Sequence, residues 1–480
     1  ETLLGGTGID TVTLGSILAN TDSINLGAGV DVLNLGNFAN TGSLSNVETL
    51  TGNALADTIT LATAIAAGTI NLAGGTDALT FGNFTNSATV SNTETITGGT
   101  GNDTITIGAA VASATINLAA GTDSLTFGNF ANTATVSNAE TLNGGTGIDT
   151  ITLATTLTGM TLDLKAGADV LNLANVANTG TVSNVETLTG NADADTITLA
   201  TAITGGVFNL AGGTDSLTLG NFANSATVSN TETINGGSLV DTITLATALT
   251  NTMVVNLKGG VDVLNLGNFS NTGTISGAET INGNAGADAI TLDTPITSGT
   301  IDLGAGTDSL TLAGMLNGLS VANIETVTGS SSIDTVTHTG TGAVTFFGGG
   351  GADNFICGTG VETVVFDDST ALMTVKNFRV SGADKIALDV TGLGTYSANE
   401  FDIGGTTLVA GNNIAVVTDY DAMLASNLTS TAGAFVYQQD TGALYFDADG
   451  DFSSGATMVG VILAGGTTPW TYDINGFVLG

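Results

Sequence analysis

The chain has very few of the residues that carry most enzyme and metal–thiolate chemistry. Its 480 residues include one Cys, one His and five Lys or Arg, against 43 Asp or Glu. A single Cys excludes an internal disulfide, and with so few sulfurs a metal–thiolate site is also excluded, so Cys357 is predicted to be a small buried residue. A formal net charge of -38 provides no basic surface for phosphates, and nucleic acid is therefore excluded as a partner.

Long apolar runs and proline are also scarce. No run reaches the roughly 18 apolar residues that a membrane helix needs, which predicts no transmembrane segment. The amino-terminus has no basic-then-apolar signal pattern, and the chain starts at the Glu-Thr that opens a repeat, which suggests a fragment or a processed product. An apolar fraction of 42% is ample for a core, so the chain is predicted to fold.

Acidic residues, in contrast, recur at fixed intervals. Aspartates follow one another at steps of 19 to 21 and 26 residues, at positions Asp10, Asp31, Asp57, Asp77, Asp103, Asp123, Asp149, Asp169, Asp195, Asp215, Asp241, Asp262, Asp288, Asp308, Asp334 and Asp353. Glutamates followed by Thr recur every 46 or 47 residues, at Glu1, Glu48, Glu94, Glu140, Glu186, Glu232, Glu279 and Glu325. Such regularity indicates a repeat protein whose function lies in a repeated surface.

Each repeat contains short runs that alternate between apolar and polar residues. In the repeat that begins at Glu94 the runs are DTITI, ATINL, DSLTF and ATVSNAETL, and the alternation places Thr104 and Thr106 outward. DTITI and DSLTF both follow a turn that ends in Asp, which predicts two coils of two strands per repeat. The GNF turns are predicted to stack their Phe side chains as a column sealing one edge of the core, at Phe38, Phe84, Phe130, Phe222 and Phe269.

These patterns predict an all-β fold. Residues 1–363 are expected to form a right-handed parallel β-solenoid of two-coil repeats, 46 or 47 residues long. The repeat dissolves near Val364, where every Tyr and the only Trp follow, so residues 364–480 are expected to form a β-rich carboxy-terminal cap that covers the exposed strand edges.

Stacked coils would bring the aspartates together along one edge. Unit charges about 5 Å apart repel by roughly 3 kcal/mol at an effective dielectric constant near 20, and Lys and Arg are too few to neutralise them. Oxygen ligands on Gly-rich turns suit Ca²⁺, which takes six to eight of them. The alternative is a turn in which each Asp accepts hydrogen bonds from its own backbone amides. The glutamates, spaced more widely, are expected to form hydrogen-bonded corners.

Some turns resemble the GGxGxDxUx nonapeptide of RTX proteins, the calcium-binding repeat proteins exported by type I secretion. They read GGTGIDTVT from Gly5, GGTGNDTIT from Gly98, GGTGIDTIT from Gly144 and GGGGADNFI from Gly348. The resemblance implies that Ca²⁺ binds between successive coils, and that the type I export machinery is a partner. The calcium residues expected on this pattern, with two from the shortened turns, are Gly5, Gly6, Asp10, Gly98, Gly99, Asp103, Asp123, Gly144, Gly145, Asp149, Asp169 and Asp353.

The carboxy-terminal region resembles that of serralysin-type RTX proteins. VKNFRVSGADKIALDVTGL from Val375 is similar to the segment that closes their solenoids, and the apolar ending INGFVLG is similar to their uncleaved export signal. The spacing of Asp447, Asp449 and Asp451 in DADGD could hold one Ca²⁺, with a solvated turn as the alternative.

The sequence contains no HExxH, GxSxG or P-loop motif, so no enzyme activity is expected. The leading hypothesis is an extracellular structural protein, a calcium-ordered surface-layer or filament subunit that forms a homo-oligomer or polymer on the bacterial surface. The first alternative is the carboxy-terminal export and folding module of a larger adhesin or secreted enzyme. The second is an ice-binding solenoid that uses outward pairs such as Thr58/Thr60, Thr104/Thr106 and Thr150/Thr152.

Overall fold

The structure is a computed structural model in which the chain forms two compact units, Glu1–Gly237 and Ser238–Gly480. It describes residues 1–366, 371–379, 384–388, 414–417, 434–438, 441–447, 456–464, 468–469 and 477–479. Their regular elements are all β-strands, which confirms the all-β prediction. None of the described residues belongs to a helix long and apolar enough to cross a membrane. The boundary predicted near residue 364 stays a prediction.

The first unit is a parallel β-solenoid whose chain alternates between two sheets, with one strand in each sheet per coil. The odd-numbered strands form the first sheet, and they are β1 (Thr2–Leu4), β3 (Ser23–Asn25), β5 (Thr41–Ser45), β7 (Thr58–Leu61), β9 (Ala78–Thr80), β11 (Thr95–Thr97), β13 (Ala114–Asn117), β15 (Thr133–Ser137), β17 (Thr150–Leu153), β19 (Val170–Asn172), β21 (Thr187–Asn191), β23 (Thr204–Ala211) and β25 (Asn224–Ser229). The even-numbered strands form the second sheet, and they are β2 (Thr11–Thr13), β4 (Val32–Asn34), β6 (Thr49–Asn53), β8 (Gly68–Ala73), β10 (Ser87–Ser91), β12 (Thr104–Ile107), β14 (Ser124–Phe127), β16 (Thr141–Asn143), β18 (Thr161–Asp163), β20 (Thr179–Ser183), β22 (Thr196–Leu199), β24 (Ser216–Thr218) and β26 (Thr233–Asn235).

The second unit continues the same alternation of strands. Its odd-numbered solenoid strands are β27 (Asp241–Leu245), β29 (Val263–Asn265), β31 (Thr280–Asn284), β33 (Gly299–Gly304), β35 (Asn317–Ala322), β37 (Asp334–His338), β39 (Asn354–Ile356) and β41 (Met373–Lys376). Its even-numbered solenoid strands are β28 (Val254–Asn256), β30 (Thr272–Ser276), β32 (Ala289–Leu292), β34 (Ser309–Thr311), β36 (Thr326–Thr328), β38 (Ala343–Phe347), β40 (Val361–Phe366) and β42 (Lys385–Leu388).

Six further strands follow in the second unit. They are β43 (Ile414–Val417), β44 (Ala434–Gln438), β45 (Ala443–Asp447), β46 (Thr457–Ala464), β47 (Thr468–Pro469) and β48 (Phe477–Leu479). Strand β46 pairs in parallel with β41, and β48 pairs in parallel with β42. The carboxy-terminal strands therefore cover the last solenoid rung of both sheets, where unpaired edges would otherwise be exposed.

Alternating side chains fill the core as the sequence predicts. In β12, Ile105 and Ile107 are buried, whereas Thr104 is exposed and Thr106 is partly exposed. The same inward Ile, Leu and Val positions recur along both units. Hydrophobic burial between the two sheets is thus the main favourable term that holds each coil.

The repeat, however, is two and a half coils long, and the prediction of two coils is wrong. The run ATVSNAETL contains two strands, β15 and β16, because Asn138 turns the chain between them with a φ of 52°. Each repeat therefore has five strands. Equivalent strands of successive repeats, such as β11 and β16, lie in opposite sheets.

The odd number of strands also overturns the predicted Phe column. Phe38 follows an even-numbered strand and Phe84 an odd-numbered one, so successive GNF turns lie at the ends of different sheets. These Phe side chains are 40 to 45% exposed and do not seal the core.

Candidate functional site

Buried acidic residues at the starts of the strands form the main repeated site. Four polar residues on four successive coils of one sheet make up a group that we call a polar tetrad, and in the first unit one tetrad consists of Asn86, Asp103, Asp123 and Glu140. Each side chain accepts a hydrogen bond from the backbone N–H of the preceding member. The tetrad therefore joins coil to coil through side chains in addition to the strand pairing.

The hydrogen-bond distances in this tetrad are short and regular. The N–H of Asn86 donates to Asp103 Oδ1 at 3.0 Å, that of Asp103 to Asp123 Oδ1 at 2.7 Å, and that of Asp123 to Glu140 Oε2 at 2.7 Å. Asn86 in turn accepts the N–H of Ile65 at 3.2 Å. The same pattern begins at Asn40, Asn132 and Asn178 in the first unit and at Asn271 in the second.

Successive tetrads lie on alternate sheets, so the prediction of one aspartate edge is wrong. Asp103 and Asp123 precede the even-numbered strands β12 and β14, whereas Asp149 and Asp169 precede the odd-numbered strands β17 and β19. The physical reason is the five-strand repeat. Within one sheet the acidic residues therefore come in short groups and not as a continuous row.

Among the aspartates of the glycine-complete turns, Asp103 and Asp149 have hydrogen-bond partners for both carboxylate oxygens. Asp103 Oδ2 accepts the N–H of Gly99 at 3.3 Å, and Asp149 Oδ2 accepts that of Gly145 at 3.2 Å. Asp10 Oδ2 accepts the N–H of Gly6 at 3.0 Å. These contacts correspond to the backbone-amide turn that was the alternative to calcium, and they make these rungs the weaker calcium candidates.

The glycines of these turns are required by close packing between coils. A Cβ at Gly5, Gly98 or Gly144 would lie 2.1 to 2.3 Å from a backbone carbonyl oxygen of the next coil. A Cβ at Gly99 or Gly145 would lie 2.3 Å from a carbonyl oxygen of the preceding coil, whereas Gly6 has nothing within 4 Å. Steric fit therefore explains most of the glycine pattern without a bound ion.

The turns that lack the complete glycine pattern, among them the shortened ones, provide the better calcium candidates. One carboxylate oxygen, Oδ2, is buried and without a hydrogen-bond partner in Asp31, Asp57, Asp77, Asp123, Asp169, Asp195, Asp215, Asp262, Asp288 and Asp308. Carboxylate oxygens without a protein partner are ligands that suit Ca²⁺.

Burial and neighbouring acids perturb the second Asp of a tetrad. Desolvation, followed by the charges of Asp103 and Glu140, raises the pKa of Asp123 to about 6, against the hydrogen bond from the Asp103 backbone, which lowers it. Asp77, Asp169, Asp215 and Asp262 share the same raised pKa of about 6, with burial as the largest cause. A bound cation would relieve the same electrostatic cost that a proton relieves.

The remaining predicted calcium residues lie at the carboxy-terminal end. Asp353 Oδ1 accepts the N–H of Asp334 at 2.9 Å, which gives it the role that the second Asp has in the tetrads. Asp447 ends β45, with no side-chain position described, and Asp449 and Asp451 lie outside the described residues. Calcium binding by DADGD therefore stays a prediction.

No protein-family model matches the chain, and no curated protein matches it.

Two groups of functional residues escape sequence reasoning. The first is the buried Asn of each tetrad. Its Nδ2 also donates within its own turn, as Asn86 does to the carbonyl oxygen of Phe84 at 2.8 Å. The signal was present, since Asn40, Asn86, Asn132 and their equivalents recur at the same interval as the aspartates.

The second group is a polar corner in the second unit, defined by His338, Cys357, Glu362, Arg379 and Asp384. Cys357 is buried as predicted, but its sulfur lies within 4.8 Å of carboxylate oxygens of Glu362 and Asp384. The absence of a metal–thiolate site stays a prediction, although nearby carboxylates supply oxygen donors in addition to the sulfur. The available signal was a His and a Cys at strand-end positions that are apolar in other coils.

Proposed function

We propose that the protein is an extracellular structural subunit in which calcium orders the solenoid for self-assembly into a surface layer or filament. The observation that carries the proposal is the repeated tetrad, in which buried Asp residues keep one oxygen without a protein partner. A cation held there would offset adjacent buried charges on every repeat. Because calcium would be supplied outside the cell, the solenoid would become ordered only after export.

The architecture of the chain supports the same proposal. The parallel solenoid of each unit is compatible with an RTX-like β-roll, and the proposed route is type I secretion, with the carboxy-terminal end as the export signal. Small polar side chains on the outward faces permit lateral packing between copies. We propose no catalytic role for the chain.

Electron microscopy combined with circular dichroism tests this proposal. We expect the full chain to assemble into a regular lattice or fibre when Ca²⁺ is added after chelation, and not when Mg²⁺ is added at the same concentration. The double variant Asp123→Asn with Asp169→Asn should retain β-sheet circular dichroism and need more Ca²⁺ for assembly. Asp193→Asn, at an exposed turn position, is the matched control. If chelation changes neither assembly nor the β-sheet signal, the proposal is wrong.

One specific observation favours a second function, ice binding. In the even-numbered sheet of the first unit, outward residues that pair from strand to strand form one continuous column. Eight of them carry a hydroxyl group and the last carries an amide. The column consists of Ser87, Thr104, Ser124, Thr141, Thr161, Thr181, Thr198, Thr218 and Asn235. Rungs about 4.8 Å apart, with neighbouring outward residues about 6.8 Å away along a strand, form a regular grid. Such a grid can hydrogen-bond ordered water.

Thermal hysteresis measurements decide this second candidate. Ice binding predicts thermal hysteresis in the wild-type chain. Thr141→Val should reduce it because a hydroxyl group is lost, and Thr161→Tyr should reduce it because the larger side chain disrupts the grid. The same change at an exposed position away from the column, Thr146→Tyr, is the control. Absence of hysteresis in the wild-type chain excludes this function.

A further inference from the structure

The polar corner lies where the solenoid is otherwise apolar. His338 ends β37, and Cys357 directly follows β39 in register with it, because Thr337 pairs with Ile356. The equivalent residues of earlier coils, Leu245 and Leu292, are core side chains. Two consecutive coils of one sheet thus place a nitrogen and a sulfur where a Leu would satisfy the packing.

Four chemically different groups converge at this corner. Cys357 Sγ and carboxylate oxygens of Glu362 and Asp384 all lie within 4.8 Å of one another. His338 Nδ1 is 2.7 Å from Glu362 Oε1. Each of these four side chains is at most 4% exposed. The Cys357 thiol forms no hydrogen bond with another described residue, although carboxylate oxygens of Glu362 and Asp384 lie within 4.8 Å of its sulfur.

Backbone groups fix the orientation of the two carboxylates. The N–H of Gly358 donates to Glu362 Oε1 at 3.0 Å, and the N–H of Arg379 donates to Asp384 Oδ2 at 2.6 Å. The N–H of Glu362 reaches Asp384 Oδ1 at 3.4 Å. The acids are therefore held in position before any ligand binds, which lowers the cost of binding.

Among the described residues, Arg379 is the only Lys or Arg whose side chain contacts these carboxylates. Its Nη2 is 3.3 Å from Glu362 Oε2 and 3.7 Å from Asp384 Oδ1. The Arg379 side chain is 34% exposed, so it can turn toward solvent. One guanidinium can balance one carboxylate, which leaves the second carboxylate and the thiol to be neutralised by protons or by a cation.

We propose that the polar corner is a site for a Zn²⁺-class transition-metal cation, bound by Cys357, Glu362 and Asp384. His338 acts as a positioning residue that holds Glu362. In tetrahedral zinc sites the bonds to sulfur and oxygen are about 2.3 and 2.0 Å, so one sulfur and two oxygens lie about 3.3 to 3.5 Å apart. The present spacing of up to 4.8 Å therefore requires a contraction of at most about 1.5 Å. Ca²⁺ fits poorly because it needs six to eight oxygens, and a buried thiolate selects softer metals.

The electrostatics of the corner agree with this assignment. Burial raises the pKa of the Cys357 thiol, and the nearby Asp384 and Glu362 raise it further. Burial, together with the hydrogen bond and charge of Glu362, raises the pKa of Asp384 to about 7. Burial opposes ionisation of Glu362, but the hydrogen bonds with His338 and Asp384 lower its pKa to about 2. A divalent cation would displace the proton of the thiol.

The ligands come from both sheets and from the last coils of the solenoid. Glu362 belongs to β40 and Asp384 directly precedes β42, both in the even-numbered sheet, whereas Cys357 follows β39 of the odd-numbered sheet. A bound ion would therefore cross-link the two sheets next to the last solenoid strands, with which β46 and β48 pair. This cross-link is independent of calcium at the tetrads.

Titration of the full chain with Co²⁺ alone and with Zn²⁺ alone tests the site, in calcium-saturated and in calcium-free samples. We expect one Co²⁺ per chain, a thiolate-to-cobalt charge-transfer band, and displacement of Co²⁺ by Zn²⁺. Calorimetry in buffers of different ionisation enthalpy should detect proton release on binding, because the thiol loses its proton when it binds the ion. The band should be present whether or not calcium is bound, so its loss would not bear on the calcium proposal.

Variants separate metal binding from folding. Cys357→Leu, which restores the residue type of other coils, should fold normally and lose the charge-transfer band. His338→Gln should weaken Co²⁺ binding about 10- to 100-fold while the band remains, since it removes a support and not a ligand. Asp308→Asn, in a distant tetrad, should leave Co²⁺ binding unchanged. Absence of a thiolate band in the wild-type chain, or an unchanged Co²⁺ affinity in Cys357→Leu, would overturn the proposal.

Discussion

Asn132 illustrates how much one buried side chain does in this fold. Its Nδ2 donates to Asp149 Oδ1 at 2.8 Å and to the carbonyl oxygen of Phe130 at 2.8 Å. Its Oδ1 accepts the N–H of Val111 at 3.3 Å. Unpaired buried polar groups each cost about 1 to 3 kcal/mol. The amide is thus a connector that its neighbours cannot replace.

We expect Asn132→Ala to lower the free energy of unfolding by about 3 kcal/mol, because it leaves at least one buried donor and one carboxylate without a partner. Asn129→Ala, three residues earlier, is the control. Asn129 is exposed and its side chain accepts only the N–H of Thr146, at 3.2 Å. Its change should stay within about 0.5 kcal/mol. Urea unfolding followed by circular dichroism measures both, and equal losses would contradict the role of the tetrad.

The raised pKa of Asp123 predicts an unusual pH dependence of stability. The folded pKa of about 6 exceeds the unfolded value of 3.8, so the folded chain binds more protons between these values. Stability should therefore fall as pH rises from about 4 to 6 when divalent ions are chelated. Calcium should restore stability at neutral pH.

Asp123→Asn should flatten this dependence, because the amide cannot ionise, and it should stabilise the chelated protein at neutral pH. Thermal melts at pH 4.5, 6 and 7.5 would measure the effect, with Asp193→Asn as the control. A wild-type chain that becomes steadily more stable as pH rises through this window would contradict the prediction.

At the scale of elements, the turns control how closely the coils approach. A Cβ at Gly98 would lie 2.3 Å from the carbonyl oxygen of Leu118 and 2.8 Å from Asp103 Oδ2. We expect Gly98→Ala to reduce the free energy of unfolding by about 2 kcal/mol or more, since backbone must shift. Gly6→Ala, with nothing within 4 Å, should have little effect. Hydrogen exchange of β13 and β14 would localise the change, and exchange that is unaltered in Gly98→Ala would argue against tight packing at this turn.

The elements also show what the sequence could and could not reveal. Strict alternation in runs such as DTITI predicts strands and their inward faces. When one face of a strand is buried, only the apolar set of alternate residues can point to the core. The corner at Asn138 was missed because its left-handed φ of 52° interrupts a run whose composition still reads as one strand. That single turn adds the fifth strand and moves every following repeat to the other sheet.

The polar corner was beyond sequence reasoning for a different reason. His338 and Asp384 are separated by about two coils of chain, and their proximity depends on the exact length of each intervening turn. The sequence does show a His and a Cys at positions that are apolar in other coils. That these side chains lie next to the acids follows only from the stacking of the coils in three dimensions.

At the scale of the whole molecule, a complete repeat, and not a single coil, should be the segment that can be deleted without loss of folding. Removing residues 94–139, one complete repeat of the first unit, joins two equivalent repeat ends. We expect this variant to keep its β-sheet circular dichroism and cooperative unfolding, because nearest-neighbour contacts are preserved. Removing residues 94–116, half of that repeat, should disrupt strand pairing and the tetrad. Comparable folding of both variants would show that the tetrads do not define the repeat.

The two-and-a-half-coil repeat has a consequence for how such a chain changes over time. A substitution that arises in one repeat and is then copied by duplication emerges on the opposite face of the solenoid in the next repeat. A substituted residue therefore comes to lie on both faces of the solenoid, and tandem duplication of single repeats cannot give one face residues that the other lacks. To give one face a character of its own, selection must act on pairs of repeats, about 93 residues at a time.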